Sequence, residues 1–247
     1  MNKILFPKIT LFLLLIIPLT FFGFNPTYFS KLSATNFLYH AHAGTMMLWV
    51  ALAIVQPFLI HSKKTNSHRI IGKASYFIMP LLFITSYLII RHTYYKFIAS
   101  QTAEIEKGLL IISPEELSIT AAAYIMIGVV YIIWLLIFYL LAVINRKKII
   151  YHSTYMFAAI LTLLGPTIDR ILYQITMFFG GSFNVFLENA VFVFILSIIT
   201  ALVFYQKSKS TNFKPALISL SIYVVGIAGY HLLPKVKLWS KFVQAVF

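Results

Sequence analysis

Long apolar runs, broken by short basic or polar pieces, make up almost the whole chain. They predict seven helices, at about residues 8–24, 36–60, 74–90, 114–144, 151–179, 183–205 and 215–233. A helix rises 1.5 Å per residue, so about 20 residues cross ~30 Å of hydrocarbon. Each run reaches or approaches that length. Pro18 predicts a kink in the first run, and bulky aromatic residues follow it where a signal-peptide cleavage site would need small ones. An uncleaved first span is the expectation.

The pieces between the runs carry their own signals. Tyr28 and Phe29 are interfacial by type, and residues 94–113 read as the longest polar connection. Ser113-Pro114-Glu115-Glu116 predicts a helix start, with Ser113 as N-cap, Pro114 in the first helical position and Glu116 closing a capping box. The tail, VKLWSKFVQAVF, predicts an amphipathic helix lying along the membrane interface. No internal repeat or composition break appears, so residues 1–247 are read as one transmembrane domain. The fold class is all-α, a polytopic helix bundle of about seven spans.

Composition supports lipid as the main solvent. The 247 residues are 60% hydrophobic and only 11% charged, against roughly 25% charge in a soluble domain. The net charge of +14 does not point to nucleic acid, because the Lys and Arg residues sit in clusters between spans with no basic face interleaved with aromatics. Absence of cysteine excludes disulfides and thiolate chemistry.

The charges set an orientation. With the N-terminus inside, the inner segments hold Lys3, Lys8, Lys63, Lys64, Arg69, Lys73, Arg146, Lys147, Lys148, Lys207, Lys209 and Lys214. These are twelve of the 20 basic residues and have no acidic companion, whereas Glu104, Glu106, Glu115 and Glu116 fall outside. That is the positive-inside pattern of a bacterial inner-membrane protein. Three lysines in the tail fall on the other side and make the last span the weakest part of the scheme.

Histidines at the boundaries are the first candidates for chemistry. His40 and His42 are about 200° apart on a helix and do not readily share one metal. His42 shares a face with Trp49 and Gln56, and His40 with Met47. The opposite boundary offers His61, His68 and His152. Two histidines on facing helices are what bis-imidazole haem ligation needs, so His40, His42, His68 and His152 are candidate cofactor ligands, with His92 and His231 as further outer partners. The competing reading is interfacial histidines that only satisfy backbone or lipid groups.

Asp169 and Arg170 are a second anomaly. One charged residue near the centre of a span costs about 2.5–3.5 kcal/mol on insertion scales, and such residues tend to mark function. Glu188 is the expected partner of Arg170. A polar pocket of His40, His42, Asp169, Arg170 and Glu188 is one expectation; an ion pair that only ties two helices is the other. Arg170 lies 18 residues from His152, about 27 Å along a helix, so the two serve opposite sides.

Four segments, FFGFNPTYFSKL, YHAHAGTMMLWVALAIVQPFLI, SHRIIGKASY and HSTYMFAAILTLLGPTIDR, resemble a group of uncharacterised bacterial multi-span membrane proteins. They are distantly similar to predicted haem-binding membrane families with a Q…HRxxG signature and a later His-x(3)-Met segment. That resemblance implies no established activity. It draws attention to His40, His42, Gln56, His68, Arg69, His152, Asp169 and Arg170.

Several functions are excluded. No lysine lies within the last span, so a retinal Schiff base has no attachment point. Neither a phosphate-binding loop nor a HExxH zinc motif is present. Four readings remain: a protein binding haem b or handling haem through its histidines, a proton-coupled or small-solute permease, a structural or assembly protein with a membrane partner or as a homo-oligomer, and an intramembrane enzyme using zinc or iron. No motif assigns a reaction.

Overall fold

Runs of apolar residues longer than a bilayer is thick can satisfy their backbone in lipid only as helices, and helices are what form. The structure, a computed structural model, describes the backbone of residues 5–181 and 185–247 and the side chains of 12–181 and 189–247. In order these are α1 Leu5–Phe24, a 3-10 helix Phe29–Ala34, α2 Phe37–His61, α3 Thr65–Gly72, α4 Ser75–Glu106, α5 Pro114–Tyr124, α6 Met126–Ile144, α7 Ile149–Phe178, α8 Val185–Ser208, α9 Lys214–Leu232, a 3-10 turn Leu233–Lys235, and α10 Lys237–Val246. Among the described residues there is no strand.

Among the described residues six segments are long and apolar enough to span: Phe37–His61, Thr65–Glu106, Pro114–Ile144, Ile149–Phe178, Asn189–Ser208 and Lys214–Lys235. Phe12–Phe24 of α1 adds a shorter apolar helix. The protein is an all-α, multi-pass membrane bundle.

The helix starts follow the sequence. Asn36 caps α2 by accepting from the Tyr39 N–H, and the Ser113–Glu116 capping box closes in both directions. One boundary does not follow. Residues 94–113 were expected as a polar connection, yet α4 runs unbroken for 32 residues to Glu106, about 48 Å at standard rise. No Gly or Pro interrupts 91–106, and Tyr94, Phe97 and Ile98, spaced as one helical face, have a core to pack on. The helix ends where Gly108 takes φ +70.

The chain divides into two compact units. The first comprises the chain up to Ser86 with Leu163–Val193, hence α1 to the start of α4, the far half of α7 and the start of α8. In it α1 meets α7 closely at Gly23, where a Cβ would stand 2.9 Å from the Thr167 carbonyl oxygen. Only glycine allows that approach, a common device between membrane helices.

The second unit is Tyr87–Thr162 with Phe194–Phe247. Its α6–α9 seam is aromatic: Tyr223 meets Trp134 and Phe138 at ring-centroid distances of 4.9 and 4.8 Å. Gly226 leaves room for the Trp134 indole, whose N–H donates to the Ile222 carbonyl (3.2 Å). The Tyr223 hydroxyl crosses to α7, donating to the Ala158 carbonyl (2.7 Å) with Thr162 Oγ1 at 3.2 Å.

The tail forms the amphipathic helix expected of it, and its narrow face lies on protein. Val243 is buried with Ile90, Tyr94, Ala121, Ala122 and Ile125. Trp239 donates to the Ala122 carbonyl (3.0 Å), beside the break between α5 and α6. Tyr87 donates to the Val246 carbonyl, and Tyr95 and Arg91 donate to the Phe247 oxygen.

Candidate functional site

Polar side chains in a membrane helix must find partners within the protein, so their pairings show what each is placed to do. The first unit holds two such groups, one at each end of α2.

At the end of α2 nearest the 3-10 helix, His40 and His42 take different partners, as their angular separation requires. His40 Nδ1 lies 3.0 Å from the Tyr28 hydroxyl, with the two rings edge to face. His42 Nδ1 lies 3.3 Å from Thr85 Oγ1 on α4. Thr85 Oγ1 lies 3.1 Å from Thr45 Oγ1. Each hydroxyl also reaches a backbone carbonyl: Thr45 that of His42 (2.9 Å), Thr85 that of Leu82 (3.1 Å).

Counting protons shows two arrangements of this chain. In one, Thr45 donates to Thr85, Thr85 donates to His42 Nδ1, and the ring proton sits on Nε2. In the other, His42 Nδ1–H donates to Thr85, while Thr85 and Thr45 turn to the Leu82 and His42 carbonyls. Both imidazole tautomers therefore leave His42 Nδ1 and the two threonine hydroxyls hydrogen-bonded.

Arg170 stands within electrostatic reach of His42. Its guanidinium donates to the Pro166 carbonyl (2.9 Å) and lies 4.3 Å over the Phe24 ring. Phe24 is the last residue of α1, so Arg170 combines a cation–π contact with the negative end of a helix dipole. One turn on, the Gln174 amide donates to the Gly23 and Phe22 carbonyls at 2.8 and 3.3 Å, which a helix C-terminus leaves without intrahelical partners. These contacts explain how a cation is tolerated in a span. The side chain of Glu188, the expected partner, lies outside the described residues. Asp169 Oδ1 is enclosed by protein.

At the other end of α2, Gln56 meets the His68-Arg69-Ile70-Ile71-Gly72 segment of α3. Its amide accepts from the Gly72 N–H (3.0 Å) and donates to the His68 carbonyl (3.2 Å). Those two backbone partners dictate which end of the amide is which. The same NH2 then also donates to His68 Nδ1, so Nδ1 is an acceptor and the neutral ring carries its proton on Nε2. Arg69 is exposed beside it.

In the second unit, His152 Nδ1 lies 2.9 Å from the Ala142 carbonyl. A carbonyl only accepts, so Nδ1 carries the proton and the neutral ring's lone pair is on Nε2.

No family model, curated protein or solved structure matches this chain.

The haem expectation can be weighed against the donor set. Metal-ligating histidines commonly donate their second N–H to a carbonyl or carboxylate. His152 has that arrangement and fits an axial ligand, whereas His68, protonated on Nε2, does not fit one as it stands. Among the described residues no group of three or more His, Asp or Glu side chains gathers to hold a metal ion.

Sequence reasoning named His42 and Arg170, and the structure brings them near one another. Thr45 was overlooked although it lies one turn from His42. Thr85 carried no signal, since its role depends on how α4 packs against α2.

Proposed function

We propose that this protein moves protons across a bacterial inner membrane as part of a proton-coupled permease, with His42 as the proton-carrying side chain. The observation that supports it is the His42–Thr85–Thr45 chain, in which His42 Nδ1 and both threonine hydroxyls stay hydrogen-bonded in either tautomer of the imidazole. A ring that takes up a proton on one nitrogen and releases it from the other needs such surroundings, because a donor left unsatisfied in low dielectric would oppose one state. Arg170 supplies a fixed positive charge beside the chain, and Tyr28 and His40 line the same end of α2. The N-terminus is read as cytoplasmic, supported by the twelve acid-free basic residues at one set of boundaries.

The test is proton uptake into proteoliposomes carrying a pH-sensitive dye, driven by an imposed potential. His42→Gln should lower the rate on the order of 10²-fold with helicity and elution volume unchanged. Thr85→Ser, which retains the hydroxyl, should keep most of it. Wild-type flux in His42→Gln would defeat the assignment.

His152 favours a second reading, binding of haem b, because its Nδ1–H is held by a backbone carbonyl, as the second N–H of a metal-ligating histidine commonly is. Haem would supply one-electron chemistry there. Protein purified from haem-replete cells should then show a Soret band that His152→Ala removes. A colourless wild-type protein ends that reading.

A further inference from the structure

The turn from α2 to α4 has a chemistry that the proton pathway does not use. The candidate spans Phe37–His61 and Thr65–Glu106 meet there, and α3, the polar start of the second, reads as a segment at the boundary of the hydrocarbon. Its sequence, TNSHRIIG, is strongly two-faced. Ile70 and Ile71 are 61% and 36% exposed, while Lys63, Lys64, Arg69 and Lys73 are exposed around them. No Asp or Glu occurs in the chain before Glu104, and among the described residues no acidic side chain bridges these four cations.

The surface is also held in place. Lys63 takes φ +59, the left-handed conformation usually left to glycine at a helix end, and the Lys64 N–H returns to the Leu59 carbonyl at 2.8 Å. Gln56 ties the far end of α3 to α2 through His68 and Gly72. Exposed apolar side chains beside unneutralised cations on a fixed short helix match a lipid that is both acylated and negatively charged.

We propose that the α2–α3–α4 turn is a binding surface for an anionic phospholipid, with Lys63, Lys64, Arg69 and Lys73 taking the phosphate headgroup and Ile70 and Ile71 lying against the upper acyl chains. The lipid acts as the counter-ion to these four cations.

Thermal unfolding of the full chain in detergent, with phosphatidylglycerol or phosphatidylcholine added, tests this. Phosphatidylglycerol should raise Tm well above phosphatidylcholine, and added salt should erase the difference. Each cation replaced by glutamine should weaken the apparent lipid affinity roughly fivefold. The four-residue variant should lose the anionic preference and keep its Tm in phosphatidylcholine. If that variant does not fold, Arg69→Gln and Lys64→Gln singly carry the reading. Ile70→Ser with Ile71→Ser should weaken phosphatidylglycerol as well. Equal effects of the two lipids would overturn the proposal, as would a four-residue variant with the full anionic shift. Inorganic phosphate reproducing the stabilisation would overturn it in favour of a soluble anion.

Discussion

Single side chains in this protein act mainly by completing backbone hydrogen bonding that a helix end or a membrane environment leaves open. Gln56 is one case. Removing its amide in Gln56→Ala strips partners from the Gly72 N–H and the His68 carbonyl, which should cost about 1–3 kcal/mol, read as a lower Tm. It should also loosen α3, read as faster proteolysis between α2 and α4. Tyr223 is another. Its hydroxyl joins α9 to two groups on α7, so Tyr223→Phe should destabilise by about 0.6–1.7 kcal/mol, the range of hydrogen bonds between membrane helices. An unchanged unfolding midpoint would show the bond to be idle. At this scale the sequence was informative about which residues are unusual and silent on their partners. Gln56, His68 and Gly72 stood out as a spaced motif, yet that they form one clasp depends on α3 folding back beside α2.

Among the elements, close approach and length decide more than hydrophobicity. The α6–α9 seam admits Trp134 only because residue 226 lacks a side chain. Gly226→Ala should therefore cost about 1–3 kcal/mol through overpacking, and calorimetry of the purified protein checks it. The α10 helix is held by Trp239, by the aromatic and guanidinium donors of α4, and by the Lys237–Glu115 ion pair at 2.7 Å. Glu115 holds the Lys237 ammonium above its ordinary range by hydrogen bond and charge. A base raised on folding adds stability that is whole below its unfolded value and lost as pH climbs through the folded one. Docking of α10 should thus be insensitive to pH near neutrality, weaken in strongly alkaline solution, and weaken again in acid where protonation of Glu115 removes the pair, with Glu115→Gln flattening both responses. Limited proteolysis of the tail across the pH range reads it. The amphipathic pattern of α10 was legible in sequence. That pattern suits a lipid surface and a protein groove equally, and the groove exists only because α4 continues past Ile90.

For the molecule as a whole, charge placement makes the clearest prediction. The chain has no cysteine, so a single one reports sidedness without background. Ser62→Cys and Ser208→Cys should react with a membrane-impermeant maleimide only after permeabilisation, and Ser33→Cys should react in intact cells. The opposite pattern would invert the orientation. Membrane residence, helical class, most helix boundaries and the Ser113–Glu116 cap were determined by the sequence alone. They depend on local quantities: run length against bilayer thickness, breakers, and side chains that reach their own backbone. The extension of α4, the partners of His40, His42 and Arg170, and the ring tautomers of His68 and His152 were decided only by tertiary structure. Each depends on which carbonyl, hydroxyl or ring another helix brings within about 3–4 Å, and no local pattern along the chain encodes that distance.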